Sequence, residues 1–139
     1  MKRQPNDYTC VPTVIHDFLK WSASPYRMYS FERIKELCGT TKRGTSLRTA
    51  FDSLRKMGFK ATKIKRSKKA FIDACNKAHN PYENYLLVSY FDGKDDHVAK
   101  VLYYYHKYDI IVLDDPYYAE VSIPFSMFWK NFKGAWRLG

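Results

Sequence analysis

The chain has 139 residues, a formal charge of +10, 45% hydrophobic residues and 17% aromatics. That length suits one domain, residues 1–139, with a real core, and the composition is too apolar for a disordered chain. No 18-residue apolar run is present and "MKRQPNDYTC" lacks a signal-peptide core. The sequence therefore predicts a cytoplasmic protein with no membrane partner.

Three cysteines (Cys10, Cys38, Cys75) without CxxC spacing argue against a disulfide framework or a zinc site, and four histidines add no ligand pattern. No metal or other cofactor is expected. A lone thiol in a reducing compartment is either a small buried hydrophobe or a reactive group.

The first half reads as helical. Thr9 is placed to cap a first helix, Pro12 fits its first turn, and Val14, Ile15, Phe18 and Leu19 form one apolar stripe. A second helix is predicted over residues 30–37, stopped by Gly39. A third begins near Thr45 or Ser46, carries Leu47, Phe51 and Leu54 at helical spacing, and ends at Gly58. "FKATKIK" alternates as a strand does, and Ser67 caps a fourth helix running to about Ala78, ended by "HNP". Eight Lys or Arg fall in the 17 residues 55–71. Such a run is either a patch for nucleic acid or an acidic partner, or a solvated edge where lysines discourage aggregation; the second reading is preferred.

The second half changes period. "YLLVSYF" (85–91), "HVAKVLYYY" (97–105) and "YDIIVLDD" (108–115) are β-branched and aromatic runs joined by short turns, which predicts an antiparallel meander. "IPFSMFWKNF" suggests a last turn of helix and "GAWRL" a closing strand. Helices first and strands after is an α+β arrangement.

If the second hairpin turns between His106 and Lys107, paired positions sum to about 213. His97 then lies across from Pro116, with Asp115 one step away. A carboxylate there orients the imidazole and stabilises its protonated form; Asp114 and Asp115 point to opposite faces, so one of them serves. Cys10 at a helix start feels the positive end of the helix dipole, which favours a thiolate. A thiol, an imidazole and a carboxylate together form the set used for nucleophilic acyl transfer, and the Cys10 amide with the Gln4 side chain offers oxyanion donors.

These residues resemble a known family. "RQPNDYTCVPTVI", with Gln4 six before Cys10, is similar to the N-terminal motif of the bacteriocin-processing, double-glycine-leader cysteine peptidases of the papain-like superfamily. "GTSLRTAFDSLRKMGFKATKIK" resembles the segment that follows the nucleophile, and "HVAKVLYYYHKYDIIVLDDP" the family's His strand and Asp-Pro strand. The resemblance implies an α+β papain-like fold, with a helical lobe carrying the nucleophile packed on an antiparallel sheet. It assigns Cys10 as nucleophile, His97 as general base and acid, Asp115 as orienting carboxylate and Gln4 as oxyanion donor. The Asp-Pro dipeptide selects Asp115 over Asp114, read as agreeing with the assumed register. Val11 stands where the family usually has Gly, a side chain expected either to narrow the site or to alter how substrate approaches the thiol. No transporter domain is appended, so a stand-alone peptidase acting on a peptide or protein is expected, with no double-glycine specificity assumed.

Two other functions remain open at this stage. One is an inactive relative that binds nucleic acid or an acidic protein through Lys65, Arg66, Lys68 and Lys69. The other keeps the thioester chemistry but passes the acyl group to an amine. Cys38 reads as core or inert surface, Cys75 has no base or acid near it in sequence, and His16, His79 and His106 are not read as catalytic. The aromatic runs "YYYH" and "DDPYY" suggest a rim around a peptide groove.

Overall fold

The coordinates are those of a computed structural model and describe residues 1, 3–78 and 84–139. Helix α1 spans Cys10–Trp21, α2 Phe31–Cys38, α3 Leu47–Lys56 and α4 Lys68–Ala78, with strand β1 (Ala61–Lys63) between the last two. Strands β2 (Tyr85–Phe91), β3 (Asp96–Tyr105), β4 (Ile110–Asp115) and β5 (Ala119–Pro124) follow, then α5 (Phe125–Lys130) and β6 (Phe132–Leu138). The six strands form one sheet in the order β1-β6-β2-β3-β4-β5, with every neighbouring pair antiparallel.

Local chemistry sets the helix ends. The Ser30 hydroxyl caps α2 by accepting from the Arg33 amide at 3.1 Å. The chain leaves α2 through Gly39 at φ +67°, where the Gly39 amide donates to Glu36 and the Thr40 amide to Lys35. These paired bonds satisfy carbonyls the helix leaves open, and the left-handed turn suits a residue without Cβ. Ser67 caps α4 by accepting from Ala70 at 3.2 Å, as its position predicted.

Strand alternation separates two cores on opposite faces of the sheet. Tyr85, Leu87, Val98 and Leu138 face α1, α2 and α3, where Phe18 packs within 5.8 Å of the Trp21, Phe59 and Tyr85 rings. Leu86, Val88, Tyr90, Ala99, Val101, Ile111 and Leu113 face α4 and α5, where Phe71 stacks among Phe125, Phe128, Trp129 and Phe132. Much of the 17% aromatic content thus fills these two cores, while Tyr105, Tyr108, Tyr117 and Tyr118 stay exposed.

The expected meander forms and gains a strand. β5 was not anticipated, because its last two residues, Ile123 and Pro124, were read into the final turn of helix; it forms an outer strand paired with β4, where its closing proline is tolerated. Only three residues of "FKATKIK" pair, as β1 at the other edge. The "HNP" end of α4, His79 included, lies outside the described residues.

The β3–β4 register differs from the one assumed. The turn takes residues 106–109, with Asp109 at φ +50°, so β4 begins at Ile110 and not at Tyr108. Paired positions sum to 215 at Tyr103–Val112 and to 214 at Val101–Leu113 and Lys100–Asp114, the change being a bulge between Val101 and Tyr103. The correction has a consequence. A sum of 213 sets Asp115 opposite Val98 and therefore on the face away from His97. A sum of 214 sets it opposite Ala99, on the same face as His97. The bulge gives Asp115 the correct face.

Candidate active site

Cys10 is the first residue of α1. Thr9 precedes it but does not cap the helix: its hydroxyl donates back to the Asn6 carbonyl at 3.2 Å, against the expectation from its position. No acidic side chain stands in the first turn, and Pro12 has no amide hydrogen. The helix start thus presents the Cys10 and Val11 amides beside a half-buried thiol.

His97 lies near the start of β3, is 6% exposed, and pairs directly with Tyr90 across the β2–β3 hairpin. Its Nε2 donates to the Asp115 carboxylate at 2.9 Å. With Nε2 so held, Nδ1 is the nitrogen left for a thiol. Asp115 is fully buried and accepts further bonds from the Tyr90 hydroxyl (2.6 Å) and the Tyr117 and Tyr118 amides (2.8 and 2.9 Å). A buried carboxylate is tolerable only with such partners, and here it has four. Burial acts to raise its pKa, but the His97 and Tyr90 bonds overcome that and hold Asp115 below its ordinary range. Burial likewise opposes charge on His97; the Asp115 bond, then the interaction with Cys10, outweigh it and push the imidazole up to about 10. The imidazolium is the favoured form at neutral pH.

Cys10 and His97 line one open cleft of about 660 Å³, together with Val11, Ser89 and the 42–45 turn. Gln4 is not on that cleft; it lines a smaller adjoining recess that also reaches His97. Its Nε2 donates to the Asn6 carbonyl at 2.5 Å, leaving one amide hydrogen free, and its backbone amide donates to Pro116 at 2.7 Å, tying the segment before the nucleophile to the end of β4. Val11 lies mostly in the first core at 4% exposure, so its side chain fills core and only its edge meets the cleft.

The remaining cysteines and histidines stand apart. Cys38 and Cys75 are buried, and burial pushes the Cys38 thiol up to about 12 and that of Cys75 higher still. His16 packs near the Phe31 ring and His106 lies exposed beside Asn76. Of the two aromatic runs, "DDPYY" supplies Tyr117 and Tyr118 to the recess, while "YYYH" lies at the far end of the hairpin. Asp114 turns to Arg3, at 2.9 Å. Tyr90 was missed from the sequence. The "DGKDD" turn carried the signal, since a hairpin centred between Gly93 and Lys94 sets Tyr90 opposite His97.

No protein-family model matches the chain, and no curated protein matches it in sequence. Solved structures do resemble it. The peptidase domain of Streptococcus ComA, a bi-functional ABC transporter involved in quorum sensing, superposes with a TM-score of 0.76 at 20% identity, covering 99% of this chain and 94% of that one. The peptidase domain of Streptococcus mutans ComA gives 0.69 at 18% identity, covering 100% and 98%. A double-glycine motif protease from an AMS/PCAT transporter, solved with its leader peptide, gives 0.69 at 14% identity, covering 97% and 86%. At these identities the likeness is one of fold: the chain has the α+β papain-like fold of double-glycine peptidase domains.

Proposed function

We propose that the chain is a cysteine peptidase in which Cys10, His97 and Asp115 act as a triad and Gln4 as an oxyanion donor. The observation that supports this best is a thiol at a helix start sharing a cleft with an imidazole hydrogen-bonded to a buried carboxylate. The Cys10 sulfur attacks a peptide carbonyl and a C–S bond forms. The His97 imidazolium gives its proton to the leaving amine as the C–N bond breaks. Neutral His97 then takes a proton from water, whose oxygen attacks the thioester; the C–S bond breaks and a carboxylate leaves. During both attacks the Cys10 amide and the free Gln4 amide hydrogen meet the oxyanion. Asp115 keeps His97 in the orientation that serves both steps. The chemistry uses no cofactor, and one domain working in a reducing cytoplasm fits three free thiols. No helix among the described residues is long and apolar enough to cross a membrane.

The test is digestion of a denatured protein mixture with sequencing of new termini. Wild type should produce cleavages that vanish with Cys10→Ala and fall at least ~100-fold with His97→Ala. New C-termini should remain free carboxylates when amines are added, which separates hydrolysis from transfer. Cleavage that persists in Cys10→Ala, or none in wild type, overturns the reading.

A further inference from the structure

The chain carries +10 overall, yet the recess beside His97 has the opposite sign. Asp7, Asp92, Asp95 and Asp96 line it against Lys94 and the His97 imidazolium, so four of the fourteen acidic residues meet there and outnumber the two cations. Internal pairing does little to cancel them. Asp96 faces Lys133 at 3.9 Å with both side chains more than half exposed, and Asp92 gives one oxygen to the Lys94 and Asp95 amides. Asp7 and Asp95 make no ion pair among the described residues. The acidity is local: the 42–45 turn on the larger cleft contributes Lys42 and Arg43.

A second observation points to a ligand. Gln4 is 9% exposed and lines this same recess, and its Oε1 is buried with no hydrogen-bond partner. Reversing the amide does not relieve this, because it would set Oε1 against the Asn6 carbonyl that Nε2 now satisfies. A buried acceptor without a donor is costly, so a donor supplied from outside is favoured there. The half-exposed rings of Tyr117 and Tyr118 complete the wall. Carboxylates, an amide oxygen and phenol rings together match a guanidinium or an alkyl ammonium: charge for charge, donors for acceptors, and ring faces for the cation. A metal ion is a poorer match, since no three His, Cys, Asp or Glu side chains among the described residues are grouped to hold one. Asp7, Asp95, Asp96 and His97 line both the recess of about 60 Å³ and the main cleft, so the two are continuous.

We propose that this recess is a specificity pocket for an arginine or lysine side chain of the peptide that enters the cleft at Cys10. The inference rests on the peptidase reading for its catalytic consequence, while binding of the basic side chain needs no catalysis.

Two measurements test it and keep the two claims apart. In the first, the Cys10→Ala protein is titrated with unstructured decapeptides that differ only in one central residue: arginine, norleucine or glutamate. Arginine should bind about tenfold tighter than norleucine, and glutamate weakest. The exposed double substitution Asp95→Asn/Asp96→Asn should erase the difference. Equal affinities, or a preference that survives the double substitution, overturn the pocket. In the second, wild type digests a mixed peptide library, and Arg or Lys should be enriched at one position near the cut. Cleavage without that enrichment overturns the pocket and leaves the peptidase standing. Absence of cleavage with the arginine preference intact overturns the peptidase and leaves the pocket standing.

Discussion

Tyr90 donates its hydroxyl to the Asp115 oxygen at 2.6 Å while its ring sits edge-on to His97 at 5.8 Å, so one side chain braces both members of the pair. The bond stabilises the carboxylate, and its loss lets the Asp115 pKa rise. Tyr90→Phe keeps the ring against Phe128 and removes only the hydroxyl. Peptide turnover should fall about tenfold in kcat with KM little changed, and the acid limb of the pH–rate profile should move upward, because a bond to a charged group contributes roughly 1.5–3 kcal/mol. An unchanged profile would mean that Tyr90 only fills space. Asp115→Asn removes the strongest influence raising His97, so the imidazole should titrate well below about 10 when followed by NMR. At this scale Cys10, His97 and Gln4 were legible as candidates, because their types and order match the proposed chemistry. Tyr90 was legible only through the register of the "DGKDD" hairpin, which sets it across from His97, and Thr9 was misleading, because its hydroxyl donates to the Asn6 carbonyl and accepts no bond from the first turn of the helix.

At the scale of elements, α1 and the β3–β4 hairpin decide whether the site assembles. Val11 fills core directly behind Cys10, so Val11→Gly should destabilise the protein by roughly 2–4 kcal/mol through lost burial and weaker helix propensity, measured by denaturant unfolding. Stability equal to wild type would show that Val11 does no packing. The helices were legible because their apolar spacing and their Ser and Gly ends are local signals. The register was not, because the bulge between Val101 and Tyr103 depends on how two strands fit together and leaves no mark in composition. A slip of one residue there turns Asp115 away from His97, so the register assumed from the sequence would not have joined the two residues that the structure hydrogen-bonds.

Across the whole molecule, charge is sorted by place. All eight Lys and Arg of residues 55–71 are exposed on the β1 side of the fold, whereas the mouth beside His97 is acidic. Folding is coupled to pH through the buried pair. His97 is raised, so its charged form contributes stability that is complete below 6.5 and lost as the pH rises through about 10. Asp115 is lowered, so its contribution holds above 3.8 and is lost as the pH falls through its depressed value. The difference in Tm between wild type and His97→Ala should therefore be steady below pH 6.5, narrow as the pH rises from there towards about 10, and level off above it. A gap that widens in alkali would contradict the pairing.

The central claim is that Cys10 is activated by His97, and selective alkylation tests it most directly. Native protein is treated with iodoacetamide and each cysteine is followed by mass spectrometry. Cys10 should be modified at neutral pH while the buried Cys38 and Cys75 stay free, and His97→Ala should slow Cys10 modification by at least about tenfold. Modification of Cys38 or Cys75 as fast as Cys10, or a Cys10 rate indifferent to His97→Ala, would contradict it.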